Sequence, residues 1–142
     1  MSYAPSPITR TALVVPLLAC ALVGCSGDKD AAGDAAVRFV QGTYVQQCEL
    51  THPDRGGAAT NCDSRKNESV WPGHPTEITA TEEWKGGYAV TIPDSTGAQD
   101  VFGMLKDGEQ WKVANFDTVD AQDAATDNPA CHALSEDDGK DC

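Results

Sequence analysis

The chain has 142 residues, of which 22 are acidic and 10 are basic, so its formal net charge is −12. Phosphate backbones repel a protein this acidic, and nucleic acid is therefore not expected as a partner. Anionic lipid headgroups repel it as well, so basic residues cannot supply an attachment to a membrane. The length predicts a single domain.

The first 24 residues hold one charge, Arg10, followed by an apolar run from Ala12 to Val23. A positive start followed by a short apolar stretch is the layout of a secretory signal peptide. A membrane-spanning helix needs about 20 apolar residues, and this run is shorter and contains Pro16. We therefore predict that residues 1–24 are a leader that is removed during export.

The apolar run ends in the sequence LVGC, Leu22 to Cys25. This motif resembles the lipobox of bacterial lipoproteins, and the resemblance implies that the Cys25 thiol carries a diacylglyceryl group and that the chain is cut just before it. The sequence LLAC, which ends at Cys20, fits the same pattern. A cut there leaves an apolar stub, residues 21–24, on the mature chain, whereas a polar stretch follows Cys25 directly. We therefore favour Cys25.

The resemblance implies a lipid bilayer as partner, through the diacylglyceryl anchor, and a location on the extracytoplasmic face of the bacterial cell membrane. Two acyl chains on one cysteine give lasting attachment, because a single chain binds a membrane only marginally. We expect residues 25–33 to be the lipidated cysteine and a flexible linker. Its eight-residue spacer, Ser26–Gly33, would span roughly 15 Å as a coil.

Four cysteines remain once Cys20 is removed and Cys25 is lipidated: Cys48, Cys62, Cys131 and Cys142. An even number in an exported chain indicates two disulfides. Of the three pairings we favour Cys48–Cys62 with Cys131–Cys142, because these close the shortest loops. A zinc site is the alternative, but no pair has the Cys-x-x-Cys spacing that such sites prefer, so no metal is expected.

Eight of the nine aromatic residues lie between Phe39 and Phe116, which predicts a core built from residues 34–116. Asp34 is expected to cap a helix that continues to Leu50 with one apolar face. Residues 49–76 are rich in Gly, Pro, Asn and Asp, and we predict a long loop tied to the helix by the Cys48–Cys62 disulfide.

Two hairpins are predicted after this loop. In the first, a three-residue turn at Lys85–Gly87 pairs Trp84 with Tyr88 and gathers the apolar residues on one face. In the second, a two-residue turn at Asp107-Gly108 pairs Met104 with Trp111. The predicted fold class is α+β, with one N-terminal helix packed on a four-stranded antiparallel meander.

Residues 117–142 contain eight acidic residues, one lysine and no aromatic residue. Such a composition buries little apolar surface, and we predict a mobile, largely disordered acidic tail. A Cys131–Cys142 disulfide would close a local loop within it.

Candidate catalytic residues are few. His52, His74 and His132 are far apart in sequence, and we expect each to be a solvated surface histidine. Asp117 follows the last predicted strand and is the only acid that stands out by location; it too is expected to be solvated. No motif for a nucleophile, a phosphate loop or a metalloprotease helix is present. The sequence therefore predicts no catalytic residue and no cofactor.

The segment AAVRFVQGTYVQQ, residues 35–47, and the closing hairpin DGEQWKVANF, residues 107–116, resemble NTF2-like, or cystatin-like, α+β domains. That family usually has further helices that close a conical pocket, where this chain has the loop 49–76. Some members are isomerases or dehydratases that use a pocket Asp or His as general base.

Two hypotheses follow. The first is a non-catalytic binding or accessory domain with a protein partner in the cell envelope. The second is a small NTF2-like enzyme, which requires an apolar pocket with a buried carboxylate or histidine.

Overall fold

The computed structural model describes residues 24–54, 62, 67–124 and 128–135. Its four strands are β1 (Ala80–Trp84), β2 (Gly87–Pro93), β3 (Gln99–Asp107) and β4 (Gln110–Val119), and they form one antiparallel sheet in chain order. The helices are α1 (Gly24–Gln41), α2 (Tyr44–Glu49), α3 (Ala121–Ala124) and α4 (Pro129–Leu134). The predicted α+β class, a helix on a four-stranded antiparallel sheet, is confirmed.

Helix α1 packs on one face of the sheet and forms the main core with it. Its buried residues recur at the spacing of a single helical face: Ala32, Ala35, Ala36, Phe39 and Val40. They meet buried side chains of β2, β3 and β4: Val90, Ile92, Phe102, Met104, Trp111 and Val113. Gly33 lets the helix approach closely, because a Cβ there would lie 2.9 Å from Cδ1 of Ile78.

Helix α1 begins ten residues before the predicted start at Asp34 and ends at Gln41, short of Leu50. Residues 26–33 are therefore helical and are not the flexible linker that was expected. Alanine favours helix, and packing of Ala32 against the sheet adds a tertiary contact that a linker composition does not reveal. At the other end the chain breaks at Gly42, and Thr43 starts α2, its backbone N–H donating to Oε1 of Gln46 at 2.9 Å.

The opposite face of the sheet carries a second apolar layer. Helix α4 buries Ala130, Ala133 and Leu134 against three sheet residues: Ala89, Val101 and Val119. The prediction that residues 117–142 are largely disordered is therefore wrong for their described part, since β4 continues to Val119 and α4 is docked. Three small or apolar side chains are enough to dock this short helix, and Asn128 caps it by accepting hydrogen bonds from two backbone N–H groups.

The first hairpin has a different register from the predicted one. Its turn is the two-residue Lys85–Gly86, with φ values of 46° and 80°, and Trp84 pairs with Gly87. A shift of one residue moves Trp84 to the other face, where its ring lies over Gly103. The prediction assumed that the sheet has one apolar face, and the second layer under α4 is the reason it failed.

The second hairpin turns at Gly108–Glu109, so Met104 pairs with Val113 and not with Trp111. The pairing is shifted by two residues, and because side chains alternate between faces, each one stays on the predicted apolar face. A β-bulge at Gly103/Met104 then brings Phe116 opposite Phe102, with ring centroids 5.0 Å apart.

The Cys48–Cys62 disulfide is present, with Cα atoms 6.0 Å apart. Cys131 is also disulfide-bonded. Its predicted partner Cys142 lies outside the described residues, so that pairing stays a prediction. In the loop that Cys48–Cys62 ties, Trp71 packs edge-on against Phe39 and lies 5.2 Å from Phe116, which fixes the loop onto the main core.

Candidate functional site

The structure places the predicted lipid attachment residue in the first turn of α1, which begins at Gly24. Asp28 follows Cys25 by three residues, or about 4.5 Å along the helix axis. Cys25 therefore lies at the end of the sheet that Asp28 contacts through Lys106. We call this the Lys85 end, because both two-residue turns, Lys85–Gly86 and Gly108–Glu109, are there.

A cavity of 580 Å³ opens at the Lys85 end. Asp28 and Glu83 contribute carboxylates to its lining. The other side chains form what we call the aromatic–lysine cluster: Trp84, Lys85, Tyr88, Lys106 and Trp111. The cavity thus combines amphipathic rings with flexible cations.

Lys106 is at the centre of this cluster. Its Nζ lies 2.8 Å from Oδ1 of Asp28 and 5.2 Å from the ring centroid of Trp111. The hydrogen bond to Asp28 raises the pKa of Lys106 above its ordinary value. The contact also joins the first turns of α1 to β3, so it fixes the start of the helix against the sheet.

The other members of the cluster make ring contacts. The Tyr88 and Trp111 rings are 5.5 Å apart at an interplanar angle of 55°. Lys85 is in the turn of the first hairpin, and its Nζ lies 5.5 Å from the centroid of the Trp84 ring. The rings are therefore held by packing, and each lysine ammonium group lies over one of the tryptophan rings.

Charge is unevenly distributed over the described residues. Their five basic side chains are Lys29, Arg38, Lys85, Lys106 and Lys112. Lys85, Lys106 and Lys112 belong to the Lys85 end, where Lys112 pairs with Asp107 at 2.7 Å. Lys29 follows Asp28 on α1, and Arg38 lines the cavity that borders this end at Glu109. Carboxylates balance these lysines, so this end is close to neutral while the rest of the described surface is strongly acidic.

Two of the three histidines are not the solvated residues that were expected. His52 is 9% exposed, and its Nδ1 accepts a hydrogen bond from the backbone N–H of Asp54 at 3.2 Å. Its Nε2 lies 3.3 Å from the carbonyl oxygen of Lys106, which fits a neutral ring with the proton on Nε2. The contact with Asp54 is local and the contact with Lys106 joins distant parts of the chain, and apolar periodicity predicts neither.

His74 forms a buried polar cluster with two residues of the sheet. Its Nε2 lies 2.6 Å from Oδ2 of Asp100, and Oγ1 of Thr118 donates to Oδ1 of the same carboxylate at 2.6 Å. The side chains of His74 and Asp100 are 11% and 10% exposed. Nδ1 of His74 faces the carbonyl oxygen of Pro75 at 2.7 Å, so both ring nitrogens are occupied.

This cluster is poorly suited to general base catalysis. A carbonyl oxygen can only accept, so Nδ1 of His74 must carry a proton, and Nε2 is held by the carboxylate. A general base needs a nitrogen or oxygen lone pair that can reach a substrate proton. Asp117 is exposed, as expected, and its Oδ1 accepts from the backbone N–H of Thr118 at 2.8 Å.

In the described part of the chain, no three His, Cys, Asp or Glu side chains are grouped so that they could hold a metal ion. No helix among the described residues is both long and apolar enough to cross a membrane.

Comparisons of the chain with protein-family models, curated proteins and solved structures found no match. The proposal below therefore depends on the motif and the geometry of this chain alone.

Proposed function

We propose that the protein is a lipid-anchored accessory lipoprotein on the extracytoplasmic face of a bacterial cell membrane, with a non-catalytic domain that binds another envelope component. The observation that carries the proposal is the position of the lipobox cysteine, Cys25, in the first turn of the helix that forms the core. A diacylglyceryl group at that position holds the folded domain directly at the bilayer.

The helical start supports a short tether. Only the first turns of α1 separate Cys25 from Ala32, the first buried residue of the main core. A helix rises 1.5 Å per residue, so the seven steps from Cys25 to Ala32 cover a fixed distance of about 10 Å. The domain would then act within a few ångströms of the lipid surface.

The enzyme alternative finds less support in the packing. Side chains of α1 fill the sheet face that would line an NTF2-like pocket. The buried acid and histidine, Asp100 and His74, are hydrogen-bonded to each other. The open cavity at the Lys85 end contains neither a histidine nor a buried carboxylate, because Asp28 is about half exposed and Glu83 is exposed.

A second cavity of 580 Å³ is the surface that we assign to the envelope partner. It lies beside α1, α2 and the start of β4, and its polar lining includes Arg38, Gln41, Gln46 and Gln110; it borders the Lys85 end at Glu109 and Trp111. Amides and a guanidinium offer directional hydrogen bonds to a polypeptide.

Cross-linking in intact membranes should capture a partner with wild type and with Thr96→Arg, a control in the turn between β2 and β3, but not with Gln46→Arg. Equal capture by both variants would place the partner elsewhere.

The lipid anchor is tested with two matched cysteine substitutions in the full chain. Wild type and Cys20→Ala should partition into the detergent phase, and the N-terminal peptide should begin at a diacylglyceryl-modified Cys25. Cys25→Ala should be released into the medium, because no acyl chains hold it. The proposal fails if Cys25→Ala still sediments with membranes, and the attachment is at the other motif if Cys20→Ala is the variant released.

A further inference from the structure

We infer that the Lys85 end of the sheet lies in the lipid headgroup layer, with the aromatic–lysine cluster in contact with phosphate and glycerol groups. This inference rests on the proposed lipid attachment at Cys25, and adds to it a fixed orientation of the domain on the membrane. The surface it identifies is the rim formed by the two turns and the cavity between them.

The position of the cluster follows from the first turns of α1. The acyl chains would enter the bilayer at Cys25, and Asp28, one helical turn later, is held to Lys106 at 2.8 Å. Helical residues cannot stretch as a coil does, so the cluster cannot move away from the point of attachment. The turn between β2 and β3, which contains Ser95, is at the opposite end of the sheet.

The chemistry of the cluster matches the headgroup layer. Tryptophan and tyrosine rings concentrate at the membrane–water boundary because one part of each ring is apolar and another part forms hydrogen bonds. Lysine side chains lie along apolar surface and extend their ammonium groups to phosphate. Trp84 and Tyr88 are half-buried, and the Lys106 side chain is 43% exposed, so these groups are available at the surface.

The charge distribution favours the same orientation. An anionic bilayer repels the strongly acidic remainder of the described surface, and it repels the nearly neutral Lys85 end least. Three of the five described basic residues, Lys85, Lys106 and Lys112, lie at this end. Electrostatic repulsion and the position of Cys25 therefore both direct the Lys85 end to the lipid.

The geometry of the first turn presents a lysine at the rim. Lys85 has a φ of 46°, in the left-handed region where glycine and asparagine are preferred, and a Cβ on Gly86 would meet open space. The turn is thus a tight projection with a cation at its tip. Lys85 and Gly86 are both exposed, so the turn itself can contact headgroups, with the Lys85 ammonium group over the Trp84 ring.

The test uses the full-length lipidated protein, purified and reconstituted into vesicles of phosphatidylethanolamine and phosphatidylglycerol. Lys85→Cys and the control Ser95→Cys are each labelled with a polarity-sensitive fluorophore, and unsubstituted protein serves as the labelling blank. The label at residue 85 should shift to the blue and be quenched by aqueous iodide severalfold less than the label at residue 95. Equal quenching at the two positions would overturn the orientation.

Vesicle flotation, measured on the same samples, separates the two proposals. If the protein floats and the labels are quenched equally, lipid attachment stands and the orientation is wrong. If the protein does not float, the proposed function fails and the orientation fails with it. Lys85→Glu removes the residue that carries this label, so Lys85→Glu and its parent both carry the label at Glu109→Cys, an exposed position of the neighbouring turn. With that label, Lys85→Glu should be quenched severalfold more than its parent while still floating, whereas Ser95→Glu should be quenched as its parent is.

Discussion

The Nε2 atom of His74 lies 2.6 Å from a carboxylate oxygen of Asp100, and this contact joins the segment before β1 to the start of β3. Trp71, three residues earlier, packs beside the His74 ring with centroids 5.6 Å apart. Besides the disulfide, the loop that follows α2 is thus held by a polar cluster and by the ring contacts of Trp71, at the end of the sheet opposite the Lys85 end.

Replacing the acid of this cluster should lower stability. Asp100→Ala leaves His74 and Thr118 without their shared acceptor, and hydrogen bonds to a charged group contribute about 1.5–3 kcal/mol. We expect a loss of about 2 kcal/mol in the free energy of unfolding, measured by urea titration of the detergent-solubilised protein. Asp117→Ala, at an exposed acid of β4, should change it by less than about 0.5 kcal/mol. Equal effects of the two substitutions would show that the cluster is not stabilising.

The contact between Trp84 and Gly103 should tolerate no added side-chain atom. A Cβ at Gly103 would lie 2.5 Å from Cζ3 of the Trp84 ring, so Gly103→Ala forces the ring or the strand to move. Overpacking of this kind typically costs about 1–3 kcal/mol. The control is Gly27→Ala, where a Cβ meets nothing within 4 Å and helix propensity should stabilise by up to about 1 kcal/mol. Thermal unfolding midpoints should move in opposite directions, and a neutral Gly103→Ala would contradict the register of the first hairpin.

Docking of α4 can be tested at Leu134, which is 3% exposed. Leu134→Ala removes buried atoms from the second apolar layer and should cost about 2 kcal/mol or more. Gln122→Ala, at an exposed position of α3, provides the matched control. Hydrogen exchange of the α4 amides should also become faster in Leu134→Ala. Unchanged stability and exchange would mean that the helix does not contribute to the fold.

The Cys48–Cys62 disulfide should stabilise by limiting the unfolded chain. It closes a loop with a sequence separation of 14, and a loop of about 15 residues corresponds to about 3 kcal/mol in the chain-entropy description. The double substitution Cys48→Ala/Cys62→Ala should therefore unfold at a clearly lower urea concentration. Reduction of wild type should give a similar loss. An unchanged midpoint would indicate that the loop is constrained by Trp71 alone.

The turn between β2 and β3 gives a pH prediction. Hydrogen bonds from the Thr96 side chain, together with backbone N–H groups of the turn, lower the pKa of Asp94 below its ordinary value. A lowered folded-state pKa means that the contribution to stability is present above the unfolded value, about 3.9, and is lost as the pH falls through the folded-state pKa. Thr96→Val should move the pKa of Asp94 back upwards in an NMR titration. The pKa of Asp107, which a hydrogen bond from Lys112 lowers at the opposite end of the sheet, should not change.

The parts of the fold that follow simple periodicities were predictable from the sequence. The spacing of Val90, Ile92, Phe102 and Met104 along the strands indicates the face that α1 covers, and it survives the two-residue shift of the second hairpin. The pairing of Cys48 with Cys62 follows from loop length. These features are local, so they need no knowledge of what packs elsewhere.

The parts that depend on distant contacts were not predictable. The position of Trp84 is determined by the space over Gly103 and by the layer that contains α4, which begins 45 residues later at Pro129. The helical state of residues 26–33 depends on the sheet that Ala32 contacts. Asp100 and His74 are in contact because the meander brings the start of β3 next to the loop. No spacing in the sequence indicates that an acid of β3 and a histidine of the loop will pair.

The early start of α1 has a consequence for how readily proteases can cut the chain beyond the proposed lipid anchor. Proteases bind their substrates as extended chain, and loops and termini are the usual sites of nicking. Between Gly27 and Gln41 the backbone is helical, and that helix supplies part of the core, so cleavage there first requires the domain to open. With the proposed anchor at Cys25, the domain would resist shedding by enzymes in its surroundings, and its lifetime on the membrane would follow its unfolding equilibrium.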